Sequence, residues 1–144
     1  MKKIFVIINF NTQDFVDKLI MSINKFVDDA QITVFDNSNK TPYINTFDNV
    51  NIIDNTTGTI INFDKWLENY PDRIKTSAKK NNYGSAKHCY TVDKCMDIFE
   101  DGFVLLDSDV LLKRDISEII KEDKVFVGDT ERWKAAKTVD DKIV

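Results

Sequence analysis

The motif Asp107-Ser108-Asp109 follows directly after the apolar run Phe103-Val104-Leu105-Leu106. A continuous apolar run is typical of a strand that is covered on both faces, as in a mostly parallel sheet. Two carboxylates at positions i and i+2 then lie at the carboxyl end of that strand, where open α/β sheets bind ligands. Such a pair suits a hard divalent cation with oxygen ligands, and the cation can in turn hold a diphosphate.

Apolar runs alternate with helical patterns along the whole chain. We predict strands at 3–10, 31–35, 50–53, 103–106 and 124–127. We predict helices after Thr12, at 60–70, at 85–99 and at 116–120, with a loop at 73–82. Strands that alternate with helices indicate an α/β fold, with a mostly parallel central sheet and helices on both faces. The 144 residues fit one domain, spanning 1–144.

Composition and charge exclude several classes of protein. A net charge of −4 and the lack of a Lys/Arg block argue against nucleic-acid binding. The apolar N-terminal run stops at Asn9, short of a signal-peptide core, and no stretch approaches the length of a transmembrane segment. Cys89 and Cys95 are expected to be free, buried thiols. We therefore expect a cytoplasmic protein, and peripheral contact with the inner membrane surface stays open.

The few glycines, histidines and cysteines exclude further sites. The four glycines are too far apart for a G-x-G-x-x-G or P-loop motif. One histidine and two cysteines cannot build a structural zinc site. His88 and Cys89 are neighbours on a predicted helix, so their side chains point about 100° apart. A nucleophilic pair therefore has little support there.

Polar clusters follow three predicted strands, at Asn9-Phe10-Asn11-Thr12, Asp36-Asn37-Ser38 and Asp107-Ser108-Asp109. In a parallel sheet these clusters converge on one edge, because all carboxyl ends lie there. A fourth cluster, at 81–88, opens the long helix, whose N-terminal N–H groups would face the same edge. Together they predict a nucleotide-diphosphate site.

The order of these motifs resembles the nucleotide-sugar half of the family 2 glycosyltransferases. The similarity rests on Val6-Ile7-Ile8-Asn9-Phe10-Asn11, Thr33-Val34-Phe35-Asp36-Asn37-Ser38, Asn82-Tyr83-Gly84 and Leu105-Leu106-Asp107-Ser108-Asp109. It covers about residues 3–120, nearly the whole chain. The resemblance implies a GT-A fold in which Asp-x-Asp is the metal motif.

The resemblance also implies roles for individual residues. Asp107 would contact the ribose or the metal, and Asp109 would ligate Mn²⁺ or Mg²⁺ that bridges the diphosphate. Asp36 would hydrogen-bond the nucleobase. The other residues implied to bind the nucleotide are Asn9, Asn11 and Thr12 around the base, Asn82 and Gly84 in the Asn-x-Gly loop, and Lys87 beside the sugar-phosphate.

The implied activity is the transfer of a sugar from a nucleotide-diphosphate donor, with a UDP-sugar as the first expectation. The acceptor would be a hydroxyl of a saccharide, a lipid-linked molecule or a protein. Inversion is favoured, although the stretch 106–117 also resembles the retaining family 8 enzymes. The oligomeric state, including a homodimer, stays open.

The chain departs from the family pattern in two places. Residues 55–80 form an insertion before the Asn-x-Gly loop. Only 35 residues follow Asp109, and the carboxylates among them that lie in the final predicted strand region are Asp129 and Glu131. Neither belongs to a recognisable base motif, so no catalytic base is identified. We therefore expect the domain to be truncated on its acceptor side.

Three alternatives remain from the residues alone. Asp107 and Asp109 are also ordinary turn residues, so they could simply cap a turn. An apolar strand followed by Asp-x-Asp also resembles haloacid-dehalogenase-type phosphatases, with Asp107 as nucleophile and Asp109 as acid/base. A third alternative is a donor-binding module without catalytic activity.

Overall fold

The computed structural model of the protein describes residues 3–81, 83–118, 120, 138–139 and 142–143. The elements are, in chain order, β1 (Ile4–Asn9), α1 (Gln13–Phe26), β2 (Gln31–Asp36), β3 (Val50–Asp54), α2 (Phe63–Leu67), α3 (Asp72–Lys80), α4 (Gly84–Ile98), β4 (Val104–Leu106), β5 (Thr138–Val139) and β6 (Lys142–Ile143). None of the helices in these ranges is long and apolar enough to cross a bilayer.

Four parallel strands form the main sheet, in the order β3-β2-β1-β4. Strand β1 lies inside it, because Ile7 pairs with Val34 of β2 on one side and with Leu106 of β4 on the other. The chain adds β2 and β3 on one side of β1 and returns to add β4 on the other. The strand order therefore reverses between β1 and β4, which is the place where open α/β sheets bind ligands. Strands β5 and β6 pair separately, as an antiparallel couple.

Helices cover both faces of the sheet, as the sequence predicts. Phe5 and Ile7 of β1 pack with Leu19 and Ile20 of α1 in one apolar cluster. Val6 points to the opposite face, since successive side chains of a strand alternate, and it packs with Cys95 of α4 in a second cluster. Each buried residue of the two clusters is at most 9% exposed. The α/β class and the parallel sheet are thus confirmed.

The prediction of a loop at 73–82 is wrong, because Asp72–Lys80 form helix α3. None of the residues of α3 is buried, so the sequence has no row of apolar residues at helical spacing that would predict this helix. Charges stabilise it instead: Asp72 lies in the first turn and Lys79 in the last, where each complements the helix dipole. Ion pairs join Lys75 to Asp72 at 3.8 Å and Lys79 to Asp64 at 3.6 Å.

Other predictions need smaller corrections. The helix expected at 60–70 is confined to α2, and the helix expected at 116–120 is a turn at Ser117 and Glu118 in the residues described there. Cys95 is buried, and burial raises the pKa of its thiol to about 11, but Cys89 is exposed. The strand predicted at 124–127 lies outside the described residues.

Candidate functional site

The three polar clusters that follow β1, β2 and β4 meet at the carboxyl edge of the sheet, as the sequence predicts. Asn37 donates its backbone N–H to the carbonyl of Asn9 at 2.9 Å, which joins the first two clusters. Ser108 Oγ lies 3.4 Å from Thr12 Oγ1, within hydrogen-bonding distance, which brings the third cluster beside the first. The contact between Thr12 and Ser108 therefore marks the point of strand-order reversal.

The Asp-Ser-Asp motif forms a turn directly after β4. Val110 N donates to the carbonyl oxygen of Asp107 at 3.2 Å, and both Asp107 and Asp109 are exposed. Neither carboxylate accepts a hydrogen bond or joins an ion pair within the described residues. These two side chains therefore keep their full capacity to bind a ligand.

Two other exposed aspartates of the chain accept hydrogen bonds that close turns. Asp54 accepts from the N–H and hydroxyl of Thr56, and Asp115 does the same with Ser117. These hydrogen bonds hold the pKa of both carboxyl groups below the usual range. They show what a turn-capping aspartate looks like in this fold, and Asp107 and Asp109 differ from it.

Asp36 is 1% exposed and uses both oxygens internally. Oδ1 accepts from Asn9 Nδ2 at 2.9 Å and from the N–H and hydroxyl of Ser38 at 3.1 and 2.6 Å. Oδ2 accepts from Tyr43 N at 2.7 Å. In this conformation Asp36 holds the loop after β2 against the end of β1. Contact between Asp36 and a nucleobase stays a prediction, and it would require these bonds to rearrange.

The side chains of Asn9 and Asn11 also form hydrogen bonds with the loops at this edge. Asn9 Oδ1 accepts from the N–H and the hydroxyl of Thr12, at 3.0 and 2.8 Å, and Asn9 is fully buried. Thr12 stands at the N-cap of α1, but its side chain bonds to Asn9 and not to the helix. Asn11 Oδ1 accepts three backbone N–H groups, from residues 39, 40 and 41. These residues build the floor of the site.

A second part of this buried network was missed by the sequence analysis. Asn37 Nδ2 donates to Thr91 Oγ1 of α4 at 2.8 Å, and Asn55 Nδ2 donates to Asn37 Oδ1 at 2.8 Å. Asn55 Oδ1 then accepts from Ile60 N and Ile61 N, which folds the start of the predicted insertion onto the edge. The signal for Asn55 was its position just after β3. Thr91 had none, because its role depends on a contact 54 residues away.

Lys87 in the first turn of α4 lies at the same edge, beside the end of β1. Its Nζ is 4.3 Å from the ring centroid of Phe10, 5.6 Å from that of Phe63 and 5.7 Å from that of Tyr83. Burial lowers the pKa of the Lys87 ammonium, and no carboxylate pairs with it in the described part of the chain. Three aromatic faces hold this cation in place through cation–π attraction, while its charge stays available to an anion.

The Asn-x-Gly loop is described only in part. Gly84 is exposed and opens α4 with φ of +21°, and Tyr83 before it has φ of +62°. No heavy atom lies within 4 Å of the position that a Gly84 side chain would occupy, so the space above it is open. Asn82 lies outside the described residues, as do Asp129 and Glu131.

The donor set at the edge consists of oxygen atoms from Asp107, Ser108 and Asp109. Among the described residues no group of three or more His, Cys, Asp or Glu side chains gathers around a point that could hold a metal. Two exposed carboxylates are nevertheless the usual protein share of an Mg²⁺ site, in which waters and substrate phosphates complete the coordination. The residues present therefore fit a cation that arrives with a diphosphate.

Comparison of the chain with family models, curated proteins and solved structures found no match.

Proposed function

We propose that the chain binds a nucleotide-diphosphate sugar at the carboxyl edge of its sheet, in the manner of a GT-A glycosyltransferase. A UDP-sugar is the first candidate donor. One observation carries the proposal: Asp107 and Asp109 are exposed where the strand order reverses, and their carboxylates accept no hydrogen bond from the described residues. Buried or capping aspartates would have suggested a structural turn.

Asp107 and Asp109 are the residues proposed to hold Mn²⁺ or Mg²⁺. The cation would act as a Lewis acid on the leaving diphosphate. Lys87 supplies a positive charge for the same diphosphate, since its ammonium has no carboxylate partner in the described residues. An arriving phosphate would favour the charged form of Lys87 and offset the effect of burial on its pKa.

The buried amides have a supporting role in this proposal. Asn9 and Asp36 fix the loops after β1 and β2, and Thr12 lies within hydrogen-bonding distance of Ser108. Preorganised ligands need such support, because a site held loosely loses geometry and affinity. The base that would deprotonate an acceptor hydroxyl is unassigned in the described residues.

Calorimetric titration with UDP, with and without Mn²⁺, tests the proposal. We expect metal-dependent binding by the wild type and a loss of about tenfold or more in Asp109→Asn, since a metal ligand matters at least as much as the groups that orient it. Asp101→Asn is the matched control. It removes the same charge from an exposed carboxylate that precedes β4, at the opposite end of the strand.

Two results would contradict the proposal. One is the absence of binding of UDP or GDP at any metal concentration, and the other is equal affinity in the wild type and Asp109→Asn. Hydrolysis of an aryl phosphate by the wild type but not by Asp107→Asn would favour the phosphatase alternative. Binding without turnover in any acceptor assay would favour a donor-binding module.

A further inference from the structure

An open groove of about 360 Å³ runs between α1 and the segment that follows the Asp-Ser-Asp turn. Its apolar part includes Met21 and Phe26 of α1 and Leu111 of the segment. Met21 is 62% exposed and Leu111 is 52% exposed, so both side chains protrude into solvent. Exposed apolar side chains that adjoin one another, unlike those scattered singly over a surface, are typical of an interaction site.

The groove is built into the fold. Leu112 N donates to Ser22 Oγ of α1 at 3.1 Å, and the Leu112 side chain packs against the apolar cluster beneath α1. This anchoring of Leu112 leaves its neighbour Leu111 on the outside. The position of the protruding Leu111 therefore follows from a contact that spans 90 residues of sequence.

Among the described residues, the charged side chains that line the groove are the lysines Lys18, Lys25 and Lys113. All three are exposed, and no described carboxylate forms an ion pair with any of them. Lys25 Nζ lies 5.1 Å from the ring centroid of Phe26, so cation and apolar surface adjoin directly. On a chain of net charge −4, this is a local positive surface around an apolar centre.

We propose that this groove is a docking surface for an anionic lipid bilayer. The three lysines would attract acidic headgroups, while Met21 and Leu111 enter the boundary of the acyl chains. A second copy of the chain fits less well, because a symmetric dimer through this face would set three lysines against three lysines. A partner helix would place its own apolar side chains inside the groove, whereas Met21 and Leu111 project from the groove into solvent.

Sedimentation with vesicles tests the inference on the full chain. We expect binding to phosphatidylcholine vesicles that contain phosphatidylglycerol, little binding to phosphatidylcholine alone, and weakening in high salt. Each lysine removed should weaken binding about fivefold, so a variant with Lys18, Lys25 and Lys113 all changed to Gln should bind about a hundredfold less. Met21→Asn combined with Leu111→Asn should lower binding by about tenfold or more.

The control variant changes Lys40, Lys65 and Lys80 to Gln. These lysines are exposed and lie outside the groove, and their substitution alters the net charge by the same amount. This variant should therefore bind like the wild type. Circular dichroism of each variant checks that it is folded. Equal losses in the two triple variants, equal binding to neutral and anionic vesicles, or no binding at low salt would overturn the inference. A stable dimer that Met21→Asn dissociates would overturn it too, since the face would then be covered.

Discussion

Asp36 and Asp109 lie at the same edge of the sheet, but their surroundings differ completely. Asp36 is buried and accepts four hydrogen bonds, whereas Asp109 is exposed and accepts none from the described residues. A carboxylate whose lone pairs are used inside the protein contributes to folding, and one that keeps them can bind a cation. Individual hydrogen bonds therefore distinguish the structural Asp36 from Asp109, which is proposed as a metal ligand.

Asp36→Asn tests the structural role of Asp36. Both oxygens accept N–H or O–H donors, so an amide placed either way would turn its NH₂ group toward another donor. A buried group left without a partner costs about 1–3 kcal/mol, and we expect this loss in the free energy of unfolding measured with urea. Asp54→Asn is the control, since Asp54 is exposed and accepts through one oxygen alone. It should change stability by less than about 0.5 kcal/mol, and equal effects of the two changes would contradict the assignment.

Tyr83 gives the protein a pH dependence at alkaline pH. Burial, a hydrogen bond to Asp64 and the charge of Asp64 raise the pKa of the Tyr83 phenol to about 12, from 10.0. Because the folded-state pKa is raised, this stabilising contribution is complete below pH 10 and is lost as the pH rises toward 12.

Alkaline titration of tyrosinate absorbance checks the prediction for Tyr83. The difference between the wild type and Tyr83→Phe should have its midpoint near pH 12. The stability advantage of the wild type over Tyr83→Phe should also shrink across the same range. The tyrosinate absorbance that Tyr83→Phe loses could instead titrate at the ordinary pKa of tyrosine. This result would show that the Tyr83 phenol is neither buried nor bonded to Asp64.

At the scale of elements, α1 and α3 form for different reasons. Helix α1 buries Val16, Leu19, Ile20 and Ile23, which recur at helical spacing and face the sheet. Helix α3 buries none of its residues and depends on its terminal charges and ion pairs. Exposed ion pairs contribute little each, so α3 should be the less stable element.

Hydrogen exchange measured by mass spectrometry should separate the two helices. We expect the amides of α1 to exchange about 10³-fold or more slowly than those of α3, because α1 opens only with the core while α3 opens locally. Similar protection in both helices would mean that α3 is held by contacts which its exposure does not reveal. Helix α1 serves as the internal reference in the same experiment.

At the scale of the whole molecule, the order of the strands decides which residues carry stability. Strand β1 is covered by β2 and β4 at its sides and by helices on both faces. Strand β3 is the last described strand on its side of the sheet, and its Ile52 is 39% exposed. An isoleucine should therefore contribute more to the free energy of unfolding in β1 than in β3.

Ile7→Ala and Ile52→Ala form a matched pair that tests this order. Ile7 is fully buried, so its truncation should cost about 2–5 kcal/mol of unfolding free energy. Ile52→Ala should cost less than about 1 kcal/mol, since much of its side chain already meets solvent. Urea denaturation measures both, and equal costs would argue against β1 as the inner strand and β3 as the outer.

Part of this fold follows from the sequence because its causes are local. The runs Ile4–Ile8 and Ile32–Phe35 are apolar at every position, or nearly so, which fits strands covered on both faces. The polar residues that directly follow these two runs predicted where the strands end. They also predicted that the polar clusters after the strands would lie close together at one edge of the sheet. The prediction failed at α3, which has no apolar period. It also failed at 116–120, where Ile116 and Ile120 stand at helical spacing but Ser117 and Glu118 form a turn.

The tertiary structure alone decided how those polar residues are used. The sequence placed Asn9, Asp36, Asp107 and Asp109 at one edge by a rule that applies to every parallel strand. Which carboxylate is buried and which stays exposed depends on pairings such as Tyr43 N with Asp36 and Asn37 with Thr91. Local sequence patterns do not predict such long-range contacts, because any polar residue can end a strand. The sequence by itself determined that these polar residues would meet at one edge of the sheet, and packing decided which of them are buried and which are exposed.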